Sequence, residues 1–129
     1  MSVEWRSLSR EAGLVAEGSS IRVACGNERF QEVHVDEAAA GVLRLWSRVA
    51  SLKRLEAAHP EIGRPEQELW LINRYRELVG FKVAERGMII GEAWVPTIEL
   101  TAEEWGLYVN TLAVACDRME YLWTGVDRE

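Results

Sequence analysis

Trp94-Val95-Pro96-Thr97-Ile98-Glu99-Leu100-Thr101-Ala102-Glu103-Glu104-Trp105 is the stretch on which the fold turns. Ile89, Ile90, Ala93, Trp94 and Val95 form a strand, and Pro96 ends it because proline has no N–H to give the sheet ladder. Thr101 and Glu104 then have capping-box spacing: the hydroxyl accepts from the third helical N–H and the glutamate reaches back to the cap. Beyond them Trp105, Tyr108, Leu112, Cys116, Met119 and Trp123 recur at helical steps, a stripe able to cover a sheet, until Thr124-Gly125. Gly106 costs this helix about 1 kcal/mol against alanine. Close approach to the backbone of a neighbouring strand would account for it.

The elements upstream follow from changes in period. Trp5, Leu8 and Ala12 predict a short helix closed by Gly13. Ile21, Val23 and Cys25 alternate with Arg22 and Ala24, Gly26-Asn27 supplies a turn, and Val33 and Val35 alternate with Glu32, His34 and Asp36, which makes a hairpin. After Ala38-Ala39-Ala40-Gly41, a third strand places Leu43, Leu45 and Val49 against Arg44, Trp46 and Arg48. Ala57 to Arg64 reads as a loop, and Pro65 opens a second helix carrying Leu71, Ile72, Tyr75 and Leu78. Val79, Phe81 and Val83 begin the last hairpin, which turns at Glu85-Arg86-Gly87.

A chain of 129 residues with 48% hydrophobic and 28% charged side chains is expected to form one domain over residues 1–129. No apolar run is long enough to cross a bilayer, and Met1 to Arg6 lack the basic and apolar segments of a secretory signal. A cytoplasmic protein without a membrane partner is therefore expected. The net charge of -6 repels nucleic-acid phosphates and anionic lipid. Cys25 and Cys116 lack zinc or redox spacing and read as buried thiols.

Certain of these segments resemble the fold shared by the YbjN family and the type III secretion chaperones. The likeness lies in Leu8-Ser9-Arg10-Glu11-Ala12-Gly13-Leu14 before Ile21-Arg22-Val23, in Leu71-Ile72-Asn73-Arg74-Tyr75, and in Val95-Pro96 with Leu100-Thr101, Glu104-Trp105 and the later Asp117-Arg118. The resemblance implies an α+β fold of two layers: a bent antiparallel five-stranded sheet with three helices, ordered α-β-β-β-α-β-β-α. It also implies a binding role, since type III chaperones are small acidic homodimers that hold extended client segments, while YbjN-like proteins are described as bacterial sensory or regulatory proteins. Trp46 and Trp70 have no family counterpart.

Strand alternation independently gathers a second sheet face. If helices cover Ile21, Val23, Val33, Val35, Leu43, Leu45, Phe81 and Val83, the other face holds Arg22, Phe30, Glu32, His34, Val42, Arg44, Trp46, Arg48, Lys82, Ile90 and Trp94. Two readings stand. Arg44, Trp46, Arg48 and Trp94 form a partner-binding site for apolar and acidic side chains; or the arginines are merely solvated, with the two tryptophans paired together or covered by the amino terminus.

For chemistry, His34-x-Asp36 shares a strand face compatible with acid–base work or one metal ligand pair, but the second histidine, His59, is in a loop. There is no Gly-rich phosphate loop, nucleophile elbow or Cys–His arrangement, so no catalytic residue, metal site or cofactor is expected. The expected function is a noncatalytic module that binds a client protein, chaperone-like or a regulatory adaptor; the alternative is a small-ligand or single-stranded RNA sensor using the same face. Trp70, off the apolar face of its helix, is the candidate homodimer contact. Light scattering of a Trp70→Ala variant is accordingly expected to give half the wild-type mass, and a wild-type chain that is monomeric at high concentration rejects the contact.

Overall fold

The computed structural model describes residues 4–26, 28–61, 69, 72–73 and 78–124, with side chains to residue 122. Six antiparallel strands form one sheet: β1 (Val15–Glu17), β2 (Ser20–Gly26), β3 (Arg29–Ala39), β4 (Val42–Ser51), β5 (Gly80–Val83) and β6 (Met88–Pro96), in the spatial order β1-β2-β3-β4-β6-β5. Among the described residues the α-helices with defined bounds are α1 (Trp5–Glu11), α2 (Leu52–Ala58) and α3 (Ala102–Thr124). α3 lies across β2, β3, β4 and β6, and α1 and α2 pack against it, so the architecture is α+β in two layers.

The sheet has six strands where alternation predicts five, because Val15–Glu17 folds back on Ser20–Arg22. Three residues are too few to show a period. The loop expected from Ala57 begins later, at His59, because Ala57 and Ala58 belong to α2. Ser51 caps that helix, its Oγ accepting from the Arg54 N–H at 3.1 Å, and Leu55 is buried. Of the helix expected from Pro65, Leu69, Ile72 and Asn73 are helical and Leu78 lies in a bend beyond it. Pro65, Trp70, Leu71 and Tyr75 are outside the described residues, as are Asn27 in the first hairpin turn and the Trp123 side chain.

The predicted start of α3 is present atom for atom. Glu104 N–H donates to Thr101 Oγ1 at 3.1 Å, and Thr101 N–H donates to Glu104 Oε1 at 3.2 Å. Pro96 is the last residue of β6. The stripe from Trp105 packs on Ile21, Val33, Leu45, Val49 and Val95. Trp105 Nε1–H donates to Ser9 Oγ, which in turn donates to the Trp5 carbonyl, both at 2.8 Å, so the buried indole N–H of Trp105 is matched inside the core. Gly106 faces the Cβ of Ala12, the residue that caps α1, rather than a strand: a Cβ at Gly106 would lie 3.3 Å from it. The glycine that lets α3 approach the sheet is Gly91, where a Cβ would lie 2.5 Å from Cys116 Sγ and 3.1 Å from Phe81 Cε1.

Asp117 is only 2% exposed and accepts from Arg29 Nε at 3.0 Å, and buried Glu120 lies 3.6 Å from Arg54. Asp117-Arg118 is thus a structural pair of neighbours with opposite fates, one carboxylate buried and one guanidinium exposed. The two cysteines form no disulfide; Cys116 is buried and Cys25 half-buried.

β5 is an edge strand, and its outer side is occupied by Asn73. The amide Nδ2 donates to the Phe81 carbonyl at 2.7 Å while Oδ1 accepts from the Phe81 N–H at 2.8 Å. One side chain thereby takes the place of a strand partner. Replacing Asn73 by alanine orphans both backbone groups next to a buried ring, and a loss of about 1–3 kcal/mol is expected in urea unfolding.

Candidate partner-binding face

The outward face of the sheet is assembled by register. His34 stands opposite Trp46, which stands opposite Glu92; Asp36 stands opposite Arg44, which stands opposite Trp94; Arg48 and Lys82 flank Ile90. Because residues two apart on a strand share a face, Arg44 and Arg48 bracket Trp46. Their guanidinium carbons lie 5.7 and 5.3 Å from its ring centroid, within cation–π range. Bulges between Glu37 and Ala39 and between Arg48 and Ala50 set this alignment, and after the second one Val49 and Ala50 are both buried.

Trp46 is held from two further directions. The His34 ring stacks on it at 4.1 Å between centroids and 19° between planes, and its Nε1–H donates to Asp36 Oδ2 at 2.9 Å. Arg44 is fixed in turn, donating to Glu92 at 2.8 Å and to Asp36 at 3.3 Å, while Lys82 Nζ lies 3.2 Å from Glu92. These links orient the half-buried indole before any partner arrives. Trp94 is 53% exposed.

Arg44, Trp46, Arg48 and Trp94 therefore share one face, as alternation predicts. The two tryptophans are not paired together, and Met1, Ser2 and Val3, the amino terminus considered as a cover, lie outside the described residues. Trp46 stacks on His34 rather than on Trp94, and α1 packs on α3, which occupies the opposite side of the sheet. Trp70 lies outside the described residues.

The supports of Trp46 are not legible in the sequence. His34 and Asp36 were visible as a pair on one face, yet their role is to position Trp46; the signal was the matching alternation of Arg44-x-Trp46-x-Arg48, unusable until the strand register was known. Among the described residues no group of three or more His, Cys, Asp or Glu side chains is arranged to hold a metal ion. No helix among them is long and apolar enough to cross a membrane. What the face offers chemically is stacking, apolar contact and charge-assisted hydrogen bonding.

No family model matches this chain, and no curated protein does. Solved structures do. A chain in the crystal structure of the ExsC–ExsE complex is 18% identical, covers 92% of each chain and gives a TM-score of 0.62. A chain in the structure of the Yersinia pestis type III secretion chaperone SycH, in complex with a stable fragment of YscM2, is 11% identical, covers 83% of this chain and 88% of that one, and gives a TM-score of 0.54. At such identities the likeness shows the fold alone, that of the type III secretion chaperones.

His34 is held below its ordinary value of 6.5, first by desolvation and then by Arg48, against the opposing pull of Glu32 and Asp36. Arg48 Nη1 lies 3.5 Å from His34 Nε2, and since arginine only donates, the contact suits a neutral imidazole with its proton on Nδ1. Between the lowered folded value and 6.5 the unfolded chain binds more protons than the folded one. Stability from this group is therefore complete above 6.5, falls as pH drops through that window, and levels off below it. Urea midpoints measured from about pH 8 to pH 5 should show this fall in the wild type and lack it in His34→Gln.

Proposed function

We propose that this chain is a noncatalytic protein-binding module, chaperone-like or a regulatory adaptor, that holds a segment of a client protein on the sheet face around Trp46. The observation that carries the reading is the preorganised indole. Trp46 is stacked, hydrogen-bonded and flanked by two guanidinium groups on a face that no described helix covers, with Trp94 exposed beside it. Tryptophan and arginine are the residues most often found to anchor interfaces, and anchoring is most effective when the side chain is already fixed.

The fold supports the same reading. One similar structure is a complex of ExsC with ExsE, and the other is a type III secretion chaperone in complex with a fragment of YscM2. In this reading residues 1–129 act as one domain in the cytoplasm, Arg44, Trp46, Arg48 and Trp94 contact the client, and two copies associate through Trp70. The finer kinship with YbjN-like regulators rests on the motifs around Gly13 and Asn73 and on Val95-Pro96 with Leu100-Thr101, Glu104-Trp105 and Asp117-Arg118, and concerns which partner is held, not how.

The test is capture from the native host, identification of the partner, and affinity measurement with purified components. Trp46→Ala and Trp94→Ser are each expected to weaken the complex about 30-fold or more, the effect of losing an anchor worth about 2 kcal/mol. Circular dichroism should be unchanged for both. Affinity that survives both substitutions rejects the sheet face, and recovery of a nuclease-sensitive ligand instead of a protein favours an RNA sensor.

A further inference from the structure

The cations of the outward face are not equivalent. Arg44 and Lys82 are matched by Asp36 and Glu92. Arg48 and Arg86 have no carboxylate within ion-pair distance among the described residues. Both border an open hollow of about 600 Å³, lined also by Trp46, Lys82, Met88 and Ile90. Ile90 belongs to this face by its register with Arg48 and Lys82, yet it is only 2% exposed. An apolar floor thus lies between two guanidinium groups that no described carboxylate pairs with.

We propose that this hollow receives an extended acidic peptide segment, with an apolar side chain seated on Ile90, Met88 and Trp46 and neighbouring carboxylates paired with Arg48 and Arg86. The assignment rests on the protein-binding reading above and narrows it to a ligand class. Planar guanidinium groups bind carboxylates through paired N–H donors, and an unmatched pair across an apolar floor selects a ligand bearing both chemistries. A polyphosphate chain fits less well. It has no apolar group to seat on Ile90 and Met88, and it brings a denser negative charge than a mixed peptide toward Glu85 in the same hollow and Glu92 and Asp36 beside it.

Arg86 adds an observation from the backbone. It sits at φ 62° in the turn before β6, a left-handed conformation that costs a non-glycine side chain and that glycine adopts freely. The chain thus carries a guanidinium at a position where glycine would be less strained. Arg86→Gly consequently removes the charge while relieving the backbone, so its effects on binding and on folding should have opposite signs.

A random-peptide library displayed on phage and selected on the full chain supplies the probe. Enriched sequences are expected to place Asp or Glu next to Leu, Ile, Phe or Trp. A synthetic copy of an enriched peptide should bind Arg48→Glu about tenfold or more weakly, and Arg86→Gly several-fold more weakly even though the Arg86→Gly melting temperature holds or rises. A purely structural role for Arg86 would instead leave peptide affinity unchanged. The assignment is overturned if nothing is enriched, if the enriched peptides carry no acidic bias, or if their binding survives both arginine substitutions. Peptides that depend on Trp94 but not on Arg48 or Arg86 overturn it while leaving the protein-binding reading intact.

Discussion

The close seating of α3 on the sheet governs the rest of the molecule. Cys116 and Leu112 come down over Gly91, where there is no room for a Cβ, and at the other end Trp105 is tied through Ser9 to the Trp5 carbonyl. Interiors are packed too densely for a helix to shift while keeping such contacts. With α3 fixed, one face of β2, β3, β4 and β6 is committed to the core. The opposite parity is committed to whatever lies outside, and Trp46 belongs to it for the same reason that Leu45 belongs to the core.

The parts of the fold legible in the sequence are those enforced locally. Pro96 stops a strand whatever surrounds it, and the Thr101–Glu104 box works within one helical turn. Ile21, Val23, Leu43 and Leu45 declare their faces because the strand period is two. What was hidden depends on distant partners or on segments too short to show a period. β1 has only three residues, α2 hides behind the end of β4, and Gly106 meets Ala12 from another helix. The candidate face was legible as a list of residues, but its internal order was not. That Asp36 takes the Trp46 N–H, or that Glu92 serves both Arg44 and Lys82, follows only from strand register, which the bulges determine.

Charge is distributed in the molecule by a consistent division of labour. On the helix side, carboxylates from α3 go inward: Asp117 meets Arg29, and Glu120 lies near Arg54, fastening α3 to β3 and α2. Such pairs add little net stability, because desolvation offsets much of the attraction, but breaking one leaves a buried charge and is costly. On the sheet side, Asp36 and Glu92 stay near the surface and hold cations in position instead of sealing a core. The same two residue types thus fix a helix on one face and orient an indole on the other.

Asn73 bears on how copies of this chain can associate. A sheet grows into a fibre only when one molecule's last strand can pair with the first strand of the next, which requires an open edge at both ends. At β5 the Phe81 N–H and carbonyl are already taken by the Asn73 amide, and the opposite edge, β1, is only three residues long. Strand addition between copies has therefore nowhere to propagate. The edges are closed to self-pairing among the described strands, while the outward sheet face, with Trp94 exposed on it, stays open.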